Sequence, residues 1–210
     1  MIFRNAASSD LKDICNLHKV CFPNNFSTRL TRGKKLLMRY YEEYLKTEPE
    51  LFFVAISNDQ LVGFCMGYKR ENNMHEDTFL KRNKLSIALN VFLGLVRFDK
   101  VVFKRVFKRN KKSIFSIVNA YFNDEVKKDK GDLLSICVLP EYRNKGIASN
   151  LLHHFEDALV SIGRSYNQLS VETNNLSAIK FYEKNNYKRF AESSNSIKMF
   201  KELICINGKQ

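Results

Sequence analysis

The segment Val138-Leu-Pro-Glu-Tyr-Arg-Asn-Lys-Gly-Ile-Ala148 joins an apolar run to an amphipathic stretch and decides the interpretation of this chain. Pro140 should end the hydrogen bonding of the preceding strand, because proline has no N–H to donate. A helix that begins at Gly146 exposes unpaired N–H groups and a partial positive charge, which suit a pyrophosphate. Glycine lets backbone and phosphate approach closely, and Arg143 and Lys145 can neutralise charge. The segment therefore predicts an anion-binding loop between a strand and a helix.

Strands and helices alternate on both sides of this loop. Downstream, the pattern predicts strands at 132–139 and 168–173, helices at 146–162 and 176–185, and a closing strand pair at 187–192 and 196–203. Upstream, it predicts a strand at 2–5, helices at 8–21 and 28–46, and a hairpin of strands at 51–57 and 60–68. Helices between consecutive strands imply parallel neighbours, and hairpins add antiparallel ones. We expect an α/β fold with a mixed central sheet flanked by helices.

The loop segment resembles the acyl-CoA pyrophosphate loop of the GNAT superfamily of N-acetyltransferases, commonly written V-x-P-x-Y/F-R-x-K/Q-G-I/V-G/A. The matching positions are Val138, Pro140, Tyr142, Arg143, Lys145, Gly146, Ile147 and Ala148. Ala148 stands where a second glycine is common, which is a mild departure. The resemblance implies a GNAT-like fold and acetyl-CoA as cosubstrate.

A second block, from Asn175 to Tyr187, looks like the N-x-x-A-x-x-F-Y-x-K-x-G-F/Y block of the same family. Asn175, Ala178 and Tyr182 are three and four residues apart, so they share one face of the predicted helix. The departure is Asn186, which stands where glycine is usual. Asparagine tolerates positive φ, so we expect the turn to survive.

The resemblance implies a role for each matched residue. The residues expected to bind acetyl-CoA are Val138, Arg143, Asn144, Lys145, Gly146, Ile147, Ala148, Asn175, Ala178 and Tyr182. The Val138 amide would sit where two parallel strands splay apart and would stabilise the oxyanion that forms on the thioester. Tyr182 would protonate the departing thiolate or hold it by a hydrogen bond.

The base that accepts the proton of the amine is less defined by the sequence. Many relatives carry a glutamate in the strand before the loop, where this chain has Ser135. Glu172, on the next strand, is the nearest carboxylate and the candidate catalytic base, although a solvated surface carboxylate is an equal interpretation. Asp132, His75, Glu76 and an ordered water relay stay open.

Residues 70 to about 125 interrupt the alternation. Between Lys81 and Lys112 the chain has eleven basic residues and one acid, Asp99, so this stretch carries a net charge of +10 of the total +13. Apolar residues are interleaved throughout, which favours two helices with both apolar and basic surface. We interpret the stretch as a basic helical insertion, between the hairpin and the CoA-binding strand, within a single acyltransferase domain spanning 1–210.

The insertion leaves the acceptor open. It can recognise a phosphate-bearing amine, lie against an anionic membrane face, or extend the core or a homodimer surface. A weaker resemblance links the chain to GNAT-type proteins of bacterial surface-polysaccharide gene sets, on the stretches 22–27 and 63–68. It implies a nucleotide-linked amino sugar, acetylated on its primary amine by direct attack in a ternary complex.

Two functions of other classes remain as alternatives. A catalytically silent CoA-binding regulator is favoured by the missing strand carboxylate, and retained Tyr182 argues against it. A nucleic-acid or ribosome-associated module is suggested by the charge, but no recognised nucleic-acid motif is present.

The cysteines and the N-terminal residues indicate where in the cell the protein is expected. The five cysteines show no C-x-x-C spacing, and the histidines do not fall at metal-ligand intervals, so we expect reduced thiols and no metal. The first 15 residues lack the features of a signal peptide. The uncharged stretch from Leu85 to Val96 is too short to span a bilayer, which needs about 20 residues. We therefore expect a cytoplasmic protein, with peripheral membrane contact through the insertion as an option.

Overall fold

A computed structural model describes residues 1–23, 34–69 and 129–203, together with isolated positions between 83 and 97. The strands are β1 (Ile2–Asn5), β2 (Phe52–Ser57), β3 (Gln60–Lys69), β4 (Lys130–Val138), β5 (Tyr166–Glu172), β6 (Lys188–Glu192) and β7 (Ser196–Glu202). The α-helices are α1 (Leu11–Cys21), α2 (Lys34–Thr47), α3 (Ile147–Ser161) and α4 (Leu176–Lys184). The predicted insertion at 70–125 lies almost entirely outside the described residues, as do the first positions predicted for α2, 28–33, and Cys205.

The strands form one sheet in the order β1-β2-β3-β4-β5-β7-β6. β4 and β5 are parallel, and the other neighbouring pairs are antiparallel. The mixed α/β sheet predicted from the sequence is therefore confirmed. The sequence did not predict that β7 inserts between β5 and β6.

Local chemistry explains several boundaries. Asn58 and Asp59 both have positive φ, 49° and 59°, as the tight turn of a β2–β3 hairpin requires. Asn186 has φ 68°, so asparagine does adopt the left-handed conformation at the end of α4.

The predicted helix at 8–21 begins differently: residues Ser8–Asp10 form a 3₁₀ turn, and the α-helix starts at Leu11. Asp10 ends that turn because its carboxylate binds Arg4 at 2.7 Å and the amide of Ala7.

Helices cover both faces of the sheet, and each face has its own core. On one face, α1 and α2 pack on aromatic and sulfur-containing side chains of the sheet such as Phe52, Phe64 and Cys137. On the other face, α3 and α4 pack on Phe53, Leu133 and other residues of the sheet. The sheet is therefore buried on both sides at its centre.

β4 changes partners along its length. It pairs with β5 from Lys130 to Leu133, the last pair being Leu133 with Leu169, whereas its pairing with β3 continues to Val138. The β3–β4 register shifts between Met66 and Gly67, which leaves Leu134 as the extra residue of a β-bulge. A bulge bends its strand and increases the local twist. It coincides with the residue at which β4 leaves β5, so we call Lys130–Leu133 the closed end of β4 and residues 134–138 its open end.

Candidate active site

The loop after β4 has the backbone of an anion-binding turn. Residues Pro140–Tyr142 form a 3₁₀ turn, and β4 itself ends at Val138, as the position of Pro140 predicts. Asn144 and Gly146 then adopt left-handed conformations with φ 61° and 78°. Turns of this kind can direct successive N–H groups toward one point, and such nests bind phosphates and other anions.

Gly146 is the N-cap residue of α3, so the unpaired amides of that helix begin directly after it. A Cβ at Gly146 would meet only Asn150 Nδ2, at 3.7 Å, which leaves the space in front of the helix open. Ile147 is buried under the helix and anchors it, while Ala148 is partly buried. The loop thus offers backbone donors, a helix N-terminus and free space to a pyrophosphate.

Arg143 and Lys145 supply the cationic side chains of the loop, and both are exposed. Arg143 Nε donates a hydrogen bond to the carbonyl oxygen of Val138 at 3.1 Å, which holds the side chain against the open end of β4. Lys145 Nζ lies 5.0 Å from the centre of the Tyr142 ring. Both cationic side chains are therefore available at the predicted anion-binding loop.

The backbone of Val138 is directed by the β3–β4 ladder. The amide of Leu139 donates to Val62 of β3 at 2.9 Å. Because consecutive residues of a strand present their N–H and C=O groups to opposite edges, the Val138 amide faces the β5 side. At this level β5 has already separated from β4. The separation begins at Leu134, earlier than the sequence predicted, since the bulge bends the strand there.

Tyr182 is buried in the α3–α4 core, with its ring 5.6 Å from that of Tyr187. Burial raises the pKa of Tyr182 well above its ordinary value, and Cys65 of β3 adds to the rise. Cys65 pairs with Ile136, which belongs to the open end of β4. Tyr182 and Val138, the last residue of the open end, belong to the same hydrophobic core.

Asn175 is the N-cap residue of α4, and its side-chain oxygen accepts the amide of Ala178 at 3.2 Å. Ser177 also donates to this oxygen at 3.1 Å. The side-chain amide oxygen is thus engaged in stabilising the helix start. Ala178 is partly buried one turn before Tyr182, so the three residues follow one face of α4 as their spacing predicts.

Known proteins share this arrangement. The profile of the Acetyltransferase (GNAT) family matches residues 99–187, a range that contains β4, the loop, α3, β5 and α4. A protein called N-alpha-acetyltransferase from Saccharolobus solfataricus is 27% identical over 190 residues, which cover 89% of this chain and 79% of that protein. These matches support a GNAT-type N-acetyltransferase, a family whose acyl donor is acetyl-CoA.

Solved structures agree with this fold. The PaiA N-acetyltransferase of Thermoplasma acidophilum, in complex with coenzyme A, aligns with a TM-score of 0.58 and 17% identity over 96% of this chain and 98% of that chain. Naa20 of Chaetomium thermophilum, in complex with a bisubstrate analogue, aligns with a TM-score of 0.59 and 17% identity over 97% of this chain and 87% of that chain. At this identity the likeness concerns the fold.

The candidate bases of the N-acetyltransferase differ in position. Glu172 is exposed at the last position of β5, where it pairs with Ser196 of β7. Asp132 is buried at the closed end of β4, whereas Ser135 lies in its open end. His75 and Glu76 lie outside the described residues. Glu172 thus differs from Asp132 in being exposed and in lying beyond the last residue pair of β4 and β5.

The sequence interpretation missed a polar cluster between α1, α2 and the open end of β4. His18 Nδ1 and the hydroxyl of Tyr41 are 2.6 Å apart and buried. Burial lowers the pKa of His18 to about 4, and Lys19 contributes to the lowering. Cys21 Sγ contacts the carbonyl oxygen of Val138 at 3.5 Å. Helical periodicity identified His18 as a core-face residue, but no local pattern connects it with Tyr41.

Within residues 1–23, 34–69, 129–203 and the isolated positions, no helix is long and apolar enough to cross a membrane. The same part of the chain contains no cluster of three or more His, Cys, Asp or Glu side chains that could hold a metal ion.

Proposed function

We propose that the N-acetyltransferase binds acetyl-CoA at the open end of β4 and transfers the acetyl group to a primary amine by direct attack in a ternary complex. The observation that carries the proposal is the separation of β4 from β5 beside the loop and N-terminus of α3. An extended pantetheine arm can form hydrogen bonds with the backbone groups of β4 that do not pair with β5. Holding both reactants in this geometry supplies much of the rate.

The pyrophosphate would bind to the amides of residues 144–148. Gly146 allows close approach, and the nest at Asn144 and Gly146 directs backbone donors to the anion. Ile147 and Ala148 contribute their amides in the first turn of α3. Arg143 and Lys145 neutralise the phosphate charge from the exposed side of the loop.

The Val138 amide would stabilise the negative charge on the thioester oxygen during attack. Its support is the alternation of the β3–β4 ladder, which directs this amide away from β3. A backbone donor on a central strand is held rigidly, so it needs little reorganisation during the reaction.

Tyr182 would stabilise the departing thiolate as a hydrogen-bond donor. Because burial raises its pKa, the phenol keeps its proton throughout the physiological range. Complete transfer of that proton to a thiolate, whose conjugate acid has a pKa of about 8.5, would be uphill. The hydrogen-bonded form of the mechanism is therefore favoured over full protonation. Asn175 and Ala178 would line the approach to Tyr182 on the same helix face.

Glu172 would accept the proton of the amine, directly or through water. Its support is its exposed position at the carboxyl end of β5, beyond the residues that pair with β4. If it is the base, Glu172→Gln should lower kcat and leave the KM for acetyl-CoA unchanged. Asp157→Asn, an exposed acid on α3, is the matched control.

The α-amino group of a polypeptide is the acceptor class that the relatives favour. The Saccharolobus protein with 27% identity carries the name N-alpha-acetyltransferase, and Naa20 is a fold neighbour with a bisubstrate analogue. A nucleotide-linked amino sugar is the second candidate, favoured by the net charge of +10 between Lys81 and Lys112. Contact of that segment with a membrane face, homodimer formation and the single domain over 1–210 stay predictions.

Acetyl-CoA binding can be tested with a matched pair of glycines at the two ends of α3. Gly146 and Gly163 have φ 78° and 75°, so any other residue meets a similar backbone cost at both positions. Thermal unfolding is measured with increasing acetyl-CoA for the wild type, Gly146→Glu and Gly163→Glu. Ligand that binds the folded state raises the Tm by mass action.

We expect acetyl-CoA to raise the Tm of the wild type and of Gly163→Glu, but not that of Gly146→Glu. The added carboxylate would occupy and repel the pyrophosphate position. A folded Gly146→Glu protein that responds like the wild type would contradict the loop assignment. A wild type that shows no response at millimolar acetyl-CoA would contradict the proposed site altogether.

Release of the CoA thiol can then identify the acceptor. The panel contains a peptide with a free N-terminus, the same peptide with an acetylated N-terminus, and a uridine-diphosphate amino sugar. Turnover with the free peptide alone supports the α-amine. Turnover with the amino sugar alone supports the second candidate, and turnover with neither amine rejects both acceptor classes.

A further inference from the structure

A buried polar network surrounds Tyr187, which follows the turn at the end of α4. Asn167 Nδ2 of β5 donates a hydrogen bond to the Tyr187 hydroxyl at 2.6 Å, and this hydroxyl donates to Glu156 Oε1 of α3 at 2.7 Å. Lys201 Nζ of β7 lies 2.6 Å from the other carboxylate oxygen, Glu156 Oε2. We call these four residues the Tyr187 network. It ties one phenol to a helix and two strands.

Tyr187 also contacts Tyr182, the proposed donor to the thiolate. The centres of the two rings are 5.6 Å apart and the ring planes are inclined by 60°. The amide of Tyr187 donates to the carbonyl oxygen of Tyr182 at 3.0 Å. A second ring contact of Tyr182 is with Phe181, its neighbour on the same helix. Tyr187 therefore holds Tyr182 from outside α4, through both its ring and its backbone.

The charged pair of the Tyr187 network fixes geometry more than it adds stability. The Glu156 side chain is 8% exposed and that of Lys201 is 20% exposed. A buried ion pair gives little net stability compared with apolar side chains of similar volume, because desolvation offsets the attraction. Its hydrogen bonds are strong and directional, so the carboxylate holds the Tyr187 hydroxyl at one point. Burial, with Glu156 nearby, raises the pKa of Tyr187 well above its ordinary value, so the phenol stays a donor.

We propose that Glu156 and Tyr187 are positioning residues for acetyl transfer, which hold the Tyr182 phenol in the direction of the departing thiolate. The inference rests on the proposed role of Tyr182 and deepens it. A hydrogen bond weakens steeply when donor and acceptor are misaligned, and a misplacement of about 1 Å can lower a rate about 100-fold. Release of Tyr187 from Glu156 would let both rings move and would weaken the donor without removing it.

A double-mutant cycle on Tyr182 and Tyr187 tests the proposal. Release of CoA thiol is measured with the free-N-terminus peptide, or with the uridine-diphosphate amino sugar if that is the acceptor. The proteins are the wild type, Tyr187→Phe, Tyr182→Phe and the double variant, and each phenylalanine keeps the ring. We expect Tyr187→Phe to lower kcat about 10-fold and to leave the KM for acetyl-CoA unchanged. In the Tyr182→Phe background it should change kcat less than about twofold, because the group that it positions is already gone.

Further variants separate positioning from stability. Tyr41→Phe is the matched control, because it removes another buried hydroxyl, 2.6 Å from His18 on the opposite face of the sheet. It should keep kcat even where its Tm falls. Glu156→Gln keeps an oxygen that can accept from the Tyr187 hydroxyl. It should therefore lower kcat less than Glu156→Ala, which removes the acceptor.

An unchanged kcat for Tyr187→Phe, with Tyr182→Phe impaired, would overturn the positioning role alone. Equal effects of Tyr187→Phe in both backgrounds, or an equal loss of kcat in Tyr41→Phe, would indicate a general structural effect and overturn it as well. Equal losses for Glu156→Gln and Glu156→Ala would have the same meaning. An unchanged kcat for Tyr182→Phe would instead reject the role of Tyr182 and, with it, the network. Acetyl-CoA binding is followed separately by the Tm response, which should be the same in all these variants.

Discussion

The closed and open ends of β4 have contrasting surroundings. At the closed end, Gly131 to Leu133 pair with both β3 and β5. At the open end, among the described residues, the ladder to β3 continues without β5. The bulge residue, Leu134, marks the boundary between the closed end and the open end. The contrast indicates that a single extra residue can end the parallel pairing of two strands and leave an accessible interior edge in the sheet.

The side chains follow the same division. Near the closed end, Gly67 and Gly131 leave room for Phe155 and Leu159 of α3, which pack directly against the strands. At the open end, β4 presents Cys137 to the α1–α2 face. We infer that the closed end stabilises the fold, whereas the open end supplies chemistry. Three substitutions or conditions test this division, and a fourth concerns a turn outside it.

The largest expected effect is on stability at the closed end. A Cβ at Gly67 would lie 2.2 Å from the Asp132 carbonyl oxygen and 2.4 Å from Phe155 Cζ, so backbone must move. We expect Gly67→Ala to lower the free energy of unfolding by about 3 kcal/mol, measured by urea denaturation. The folded fraction should bind acetyl-CoA normally.

Gly163→Ala is the control for this substitution. The added Cβ has no atom within 4 Å but meets φ 75°, so we expect a loss of about 1 kcal/mol. Equal losses for the two variants would show that the closed end tolerates crowding and would weaken the division.

The second effect is on catalysis at the open end. Tyr182→Phe removes the proposed donor to the thiolate and keeps the buried ring. We expect kcat to fall about 100-fold, comparable to the loss of one oxyanion donor, with little change in the KM for acetyl-CoA. Tyr166→Phe, on β5 at the closed end, is the control and should keep kcat. An unchanged kcat for Tyr182→Phe would remove Tyr182 from the mechanism.

The third effect is a pH dependence of stability at the α1–α2 side of the open end. Folded His18 has a pKa of about 4, beside Tyr41 and near Lys19, whereas the unfolded value is about 6.5. Between these two pKa values the unfolded chain binds more protons than the folded chain. The stability that neutral His18 gives the folded state is therefore present above pH 6.5 and is lost as the pH falls toward 4. From pH 7 to 5 we expect a loss of about 2 kcal/mol.

Denaturant unfolding at both pH values measures this loss. His18→Gln should flatten the dependence, while His153→Gln, exposed on α3, should leave it unchanged. Asp10, whose pKa Arg4 lowers, loses its contribution only below the ordinary carboxylate pKa of about 4. A wild-type curve that is flat from pH 7 to 5 would contradict a buried neutral His18.

The smallest effect concerns a turn that belongs to neither end. Asn186 has φ 68° after α4, a conformation that glycine adopts without steric cost. We expect Asn186→Gly to raise the free energy of unfolding by less than about 1 kcal/mol, without changing kcat. A change in kcat would mean that this turn also positions Tyr182.

Local sequence patterns predicted the elements that surround the site. Pro140 predicted the end of β4, and Gly146 predicted the start of α3, because proline and glycine act on their own backbone. The capping role of Asn175 was not assigned, although an asparagine ahead of a helix is a usual cap. The same patterns missed the 3₁₀ turn at Ser8–Asp10, since Arg4 stabilises it from a neighbouring strand.

The sequence by itself determined the succession of strands and helices along the chain, the loop after β4 and the resemblance to the GNAT family, since each depends on residues close in the chain. Only the tertiary structure decided the bulge at Leu134 and the separation from β5, because strand register depends on long-range pairing. It also decided that Cys21 meets Val138, 117 positions away. Such contacts form where packing brings α1 onto β4, and no local periodicity encodes which residues then face each other.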